Sequence, residues 1–360
     1  MSFMEGHLST LVHQLIVEAQ AAPVPRHTRR DVRLPAVPRK AVAVVGMRRA
    51  GKTTFLWQLL AERVAAGTPR RGLLYFSFED ERLAGMTAAD LALVVEEFYR
   101  LNPEWRDGRR ATFFLDEIQV VPEWERFARR LLDTEQIDLF LSGSSAKLLA
   151  REVATAMRGR AMEARVFPFS FREFLRHHGR EPTVPPARLT KAARSALDRD
   201  LSGYLATGGF PEAQGVPPRD RRELLQGYVD VVLLRDVIER HAVSHPLAVR
   251  WMTRQLLGNA GQSFSVHRFT RDLRSQGIPV AKDTLHAYFA HLEDAFLIHP
   301  VWVASGSERR RMVNPRKVYP ADPALIAVFD RSGRANLGHA LETCVALALL
   351  GRRIFGRSAG

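Results

Sequence analysis

The sequence predicts an α/β protein: a core built on a parallel sheet, followed by a helical lid, a winged helix and a partial α/β C-terminal region. Three observations carry that prediction. The run AVAVVGMRRAGKTTFLWQLL, Ala41 to Leu60, sets Gly46, Gly51, Lys52 and Thr53 at the G-x-x-x-x-G-K-[ST] spacing, between a β-branched run and a helical pattern. From Ala41 to about Ser170, short apolar strands alternate with helical periodicity, as in a parallel sheet covered on both faces. A second apolar run, TFFLDEIQ, ends in adjacent carboxylates, Asp116 and Glu117.

Before the sheet, Met1 to Ala22 reads as an amphipathic helix. It lacks a basic leader and is interrupted by His13, Gln14 and Glu18, so a signal peptide is not expected. The proline- and arginine-rich stretch from Ala22 to Lys40 reads as a connector that runs over the surface and joins no core. Residues 1–40 therefore form an N-terminal helix and linker, and 41–178 the core.

Strands are expected at Val42 to Val45, Leu73 to Phe78, Thr112 to Leu115, Ile137 to Leu141 and Arg165 to Phe167. After the first, glycines at 46 and 51 let the backbone of Met47, Arg48, Arg49 and Ala50 curl so that N–H groups converge on an anion. The helix opening at Lys52, Thr53 and Thr54 adds the positive end of its dipole. Lys52 supplies a mobile charge for terminal phosphates, and the Thr53 hydroxyl an oxygen for Mg²⁺. Asp116, at a strand tip, is placed to order the same metal, and Glu117 to polarise an attacking water. The next strand ends in SGSS, where Ser142 or Ser144 could sense a terminal phosphate, although turn chemistry also favours these residues. Arg151, Arg158, Arg160 and Arg165 precede or open the fifth strand. Of these, Arg160 is the candidate to reach a neighbouring subunit's site in a homo-oligomer.

Residues 180–191 break every periodicity and read as a loop. Helical spacing returns over 192–206 and 221–241 around the turn TGGFPE, which makes 179–245 a lid in which Arg235 and Asp236 form an intrahelical or lid contact. Three helical segments and a β-like run, FLIHPVWV, then suggest a winged helix-turn-helix over 246–312. The exposed side of its third helix, Lys282 to Asp294, is expected to carry Lys282, His286 and His291 with Asp283, Glu293 and Asp294. Arg309, Arg310 and Arg311 of the wing are the better phosphate contacts.

The net charge of +14 creates a field that attracts polyanions, and DNA is a candidate partner. Only six of the 53 basic residues are lysine, so arginine usage reflects base composition as much as a binding surface. A single cysteine, Cys344, excludes a disulfide framework or cysteine metal site, and no apolar run is long enough for a membrane span. The expected compartment is the cytoplasm.

The ordered blocks GMRRAGKTT, LYFSFEDERL, FFLDEIQ, LSGSSAKLL, GRAMEARVFPFSFREFL, GGFPE, RDVIER, NPRKVYPADPAL and GHALETCVALAL span nearly the whole chain. In them the chain resembles the prokaryotic AAA-type P-loop ATPases that carry a C-terminal domain of unknown function. The resemblance implies ATP as nucleotide, an AAA-like core, a middle winged helix and, over 313–360, a fold similar to PD-(D/E)xK nucleases, with Asp322 after a strand and Glu342 on a helix. The tail after Glu342 contains no Asp, Glu or Lys to complete such a metal site, so no nuclease activity is expected. The leading reading is an Mg²⁺-dependent ATPase acting as a conformational switch. The rivals are a DNA-binding regulator with slow or absent hydrolysis and a small-molecule kinase.

Overall fold

The computed structural model describes residues 2–106, 108–143, 157, 159–302, 316–330 and 336–353. These fall into two compact units, one of residues 1–46 and 51–166, the other of residues 47–50 and 167–360.

The first unit begins with α1 (Ser2–Ala21). Its five strands are β1 (Ala41–Val45), β2 (Leu73–Ser77), β3 (Ala111–Asp116), β4 (Ile137–Ser142) and β5 (Ala161–Arg165). They form one parallel sheet in the order β2-β3-β4-β1-β5. The helices among them are α2 (Lys52–Ala65), α3 (Leu91–Leu101) and α4 (Trp124–Thr134). Strands β1 and β3 are buried at every position, as continuous apolar runs require in a sheet covered on both faces. Phe113 meets Phe98 of α3 edge to face, and Phe114 stacks on Phe140 across β3 and β4. Leu11, Val12 and Ile16 bury one side of α1 against the edge strand β2 and α3.

Two expectations fail in this unit. The fifth strand lies at Ala161–Arg165, ahead of the apolar VFPF run, in register with β1 from Ala41↔Ala161 to Val45↔Arg165. An edge strand is only half covered, so AMEAR, with little β signal, serves there. Val166 adds one further bond to Val45 O, and Pro168 follows without an N–H to continue the ladder. The connector, expected to join no core, instead buries Arg30 to 5 % exposure. The Gln58 side chain of α2 accepts from Arg30 N–H (2.7 Å) and donates to Arg30 O (3.2 Å). One amide thus satisfies both polar groups of an extended residue, and the chain enters the interior at that point.

In the second unit, α5 (Phe171–His177), α6 (Lys191–Thr207) and α7 (Pro218–Val231) lead into a π-helical segment, Val232–Glu239. Helices α8 (Pro246–Gly258), α9 (Val266–Ser275) and α10 (Lys282–Asp294) follow, with β6 (Ser263–Phe264) between the first two. Strands β7 (Ile298–Val301) and β8 (Arg316–Pro320) join β6 in an antiparallel sheet of order β6-β8-β7. Helices α11 (Ala324–Phe329) and α12 (Leu337–Arg353) complete the described chain. The boundary expected at 312/313 lies outside the described residues, and β8 just beyond it pairs back with β7 and β6. Ile326 and Ala340, from the last two helices, share a core with Phe169, Phe174, Tyr204 and Leu205.

Asp322, 1 % exposed, accepts from Gly209 N–H (2.6 Å) and Ala324 N–H (2.8 Å), so it clasps the GGFPE turn to the segment after β8. Burial pushes its pKa up to about 6 against the pull of those two amides. Glu342 is engaged by Lys317 Nζ at 2.6 Å and Tyr319 OH at 2.9 Å.

The exposed face expected on α10 also needs correction. His291 is half buried and stacks on His241 at 3.6 Å and 9°, because the turn after the π segment packs against that side of α10. Burial first, and the neighbouring imidazole second, push His241 down to about 4, and burial lowers His291 as well. Folding therefore favours the neutral rings, and their contribution is complete above the unfolded-state pKa near 6.5 and is lost as pH falls through the folded values. His241→Phe keeps a stacking ring without the titration. Its urea midpoint is expected to fall less than the wild-type midpoint between pH 7 and pH 4.5.

Candidate active site

The site is assembled at the carboxyl edge of the parallel sheet, where the order β3-β4-β1 sets three strand tips side by side. At the tip of β1 the chain turns away at Gly46, with φ +152°. A Cβ there would lie 2.1 Å from the Val166 carbonyl oxygen, so no larger residue fits this exit. Gly51, with φ 95°, is the residue before α2. No side chain among the described residues caps that helix, and no acid lies in its first turn. The positive end of the helix dipole is therefore presented where an anion is favoured. Lys52 is buried to 5 %, while Thr53 and Thr54 are exposed.

Asp116, 2 % exposed, ends β3 and is gripped on both oxygens. Tyr75 OH donates to Oδ2 at 2.8 Å and Ser142 Oγ to Oδ1. Burial, then the negative charge of Asp116, raises the Tyr75 phenol above its ordinary range and keeps it a donor. Ser142, fully buried at the β4 tip, also accepts from Glu117 N–H at 3.3 Å. Its hydroxyl therefore holds the acid of β3, a contact that nothing in the sequence leads one to expect beside the phosphate sensing proposed for this residue. Tyr75 escapes a reading of the sequence because an aromatic in a strand looks like core. Ser77 pairs with Asp116 in register, which puts Tyr75, two residues earlier, on the same sheet face as Ser77.

Glu117 is 7 % exposed and sits in the left-handed region, φ 52°, which is costly for a residue with a Cβ and concentrates at functional sites. Its carboxylate accepts from Gln119 Nε2, a partner that spacing gives no reason to expect.

Other expected residues lie elsewhere. Ser144, Arg151, Arg158 and Arg309 to Arg311 fall outside the described residues. Arg160 precedes β5 and its carbonyl accepts from Ala41 N–H, at the amino edge of the sheet, opposite the phosphate loop. Its guanidinium pairs with Asp133 of α4, so it is no part of its own chain's cradle. Arg165 pairs with Glu163 at 3.1 Å. Arg48 and Arg49 sit at the loop tip with their side chains on carboxylates, Asp236 and Glu212 respectively. What these two residues can offer an anion is their main chain.

A family profile described as an AAA domain matches residues 38–175, and one described as a domain of unknown function (DUF8612) matches residues 198–334. Over 331 residues the chain is 31% identical to an uncharacterised protein of Methanocaldococcus jannaschii, covering 86% of this chain and 68% of that protein. The chain belongs to the prokaryotic AAA-type P-loop ATPases. A second uncharacterised protein of the same organism is 29% identical over 326 residues, 89% of this chain and 68% of its own. Among solved structures, a Walker-type ATPase of Pyrococcus abyssi matches with a TM-score of 0.50 at 15% identity, covering 80% of this chain and 90% of that one, which shows a shared fold.

Where a carboxylate orders a metal, a residue that holds that carboxylate is an outer-shell partner, and its removal costs about 10- to 100-fold in metal affinity or activity. Ser142→Ala is therefore expected to lower ATP turnover by about that factor and to raise the Mg²⁺ concentration at half-maximal rate. Initial rates across a magnesium titration measure both.

Proposed function

We propose that this ATPase hydrolyses ATP with Mg²⁺ at the cradle formed by Gly46–Thr54, Asp116 and Glu117, and works as a conformational switch. The observation that carries the reading is the glycine-led start of α2 beside a buried Lys52 and a doubly held Asp116. That set fits a magnesium triphosphate: main-chain N–H groups and an ammonium for phosphate oxygens, a threonine hydroxyl and a carboxylate for the ion. Mg²⁺ would be held by Thr53 and Asp116, and when bound it supplies charge neutralisation at the terminal phosphates. Lys52 binds the same oxygens, and Tyr75 with Ser142 fixes the Asp116 carboxylate. Glu117, with Gln119 on its carboxylate and its backbone bent, is oriented to accept a proton from water.

The clasped geometry of Asp322 and the engagement of Glu342 by Lys317 and Tyr319 speak against a nuclease site in the C-terminal region. Arg160 of another copy would have to leave Asp133 to act in trans.

Lys52→Ala is expected to abolish ATP binding, and Glu117→Gln to keep binding while turnover drops about 100-fold or more. Calorimetry and a phosphate-release assay separate the two. Unchanged turnover in both variants sinks the assignment.

A second reading, DNA association, is favoured by one surface. The order helix, strand, helix, helix, strand, strand over α8 to β8 supports a winged helix. Its α9 exposes His267, Arg268, Arg271 and Arg274 on a short stretch. The exposed part of α10 is nearly neutral, with Lys282 and His286 set against Asp283 and Glu293. Phosphate contacts from α9, with little base reading by α10, are therefore expected. Binding of a duplex should weaken steeply with salt and lose about one unit of log–log slope in Arg271→Ala. Absence of binding at low salt removes this reading.

A further inference from the structure

The tip of the phosphate loop, Met47–Ala50, belongs to the second unit, and both of its arginines are held there by acids far away in sequence. Arg48 makes a two-pronged contact with Asp236, Nε to Oδ2 at 2.8 Å and Nη2 to Oδ1 at 3.0 Å. Asp236 lies in the π-helical segment, and its side chain is 3 % exposed. A buried carboxylate facing a planar guanidinium in this fork is among the strongest and most directional polar contacts a protein makes. Arg235, one residue earlier, faces solvent and pairs with Glu239 at 3.0 Å, while Asp236 turns inward. Such rare helical bulges recur at functional sites.

Arg49 is held independently. Its Nη1 lies 3.0 Å from Glu212 Oε1, and the other oxygen of that carboxylate accepts from Tyr228 OH at 2.6 Å. The Arg49 guanidinium also lies 5.9 Å from the centre of the Tyr228 ring. Arg49 has φ 64°, a left-handed backbone that a non-glycine residue keeps only when its surroundings impose it. Glu212 itself ends the GGFPE turn that Asp322 clasps through Gly209.

We infer that Asp236 is a positioning residue for nucleotide binding: with Glu212 it clamps the loop tip by its two arginine handles and pre-sets the main-chain shape that receives phosphate. The arginines are handles for the loop, and the acids neutralise their charge. The inference rests on the ATP reading of the loop. Pre-organisation acts on binding, because a loop already in its bound shape does not have to be ordered by the ligand.

The test measures ATP affinity by calorimetry and kcat and KM by phosphate release, for wild type, Asp236→Asn, Asp236→Glu, Arg48→Ala and the Arg48→Ala/Asp236→Asn pair, with Lys52→Ala as the non-binding control. Asp236→Asn and Arg48→Ala should each weaken ATP about tenfold, with KM rising in step and kcat at saturation within about threefold. The double variant should be no weaker than either single one, as for two halves of one contact. Asp236→Glu should recover part of the loss. Affinity within twofold of wild type in Asp236→Asn, or additive losses in the pair, overturns the inference while leaving the ATP reading intact. Tighter binding also overturns it, since the acid would then be holding a phosphate ligand away. If Asp236→Asn does not fold cooperatively, Arg48→Ala at the loop surface decides between the same outcomes alone. Failure of the wild type to bind ATP removes both the reading and the inference.

Discussion

The close passage of Gly46 against the Val166 carbonyl is the constraint from which the rest of the site follows. Strand β1 is paired on both sides, to β4 and to β5, and Val166 is the residue that follows β5. The chain leaving β1 must slip under that carbonyl, with 2.1 Å where a Cβ would stand. Only then does it curl back in time for α2 to begin at Lys52 behind a left-handed glycine. Sheet pairing thus fixes the direction of the loop, and the loop fixes where an anion can sit.

Around that point the protein buries several polar groups, and those at the tips of β3 and β4 hold one another in one orientation. Asp116 is held by Tyr75 and Ser142, and Ser142 in turn takes the Glu117 amide. A carboxylate fixed from both sides needs little reorganisation when it receives charge, which is how pre-set dipoles lower a barrier. The bent backbone of Glu117 lies at the next residue, so strain is stored directly beside the fixed carboxylate.

Much of this is legible in the residues. The G-x-x-x-x-G-K-T spacing places the loop, and LDE at the end of an apolar run places the two acids, because both signals are local. What is not legible depends on distant pairing. Strand β5 lies four residues ahead of the run that looks like a strand, because its own sequence is weak and its place is set by the neighbouring β1. The bonds of Ser142 and Tyr75 to Asp116 leave no local signal, since they exist only after β2, β3 and β4 align. The π segment is invisible to a search for helical spacing, and with it the partner of Arg48, 188 residues away. Gln58 gives no hint that it buries Arg30, because an amide on a helix is ordinarily solvated.

That last pair alters where the catalytic half of the molecule can be cut. The AAA domain profile opens at residue 38, yet the packed unit opens at α1, and the extended strap between them is buckled onto α2 by one side-chain amide. A fragment begun at the family boundary would strip the apolar cover from β2, an edge strand, and leave Gln58 without both of its Arg30 bonds, with only Glu62 still in reach. For anyone excising this ATPase module, or grafting it onto another chain, the first forty residues travel with it.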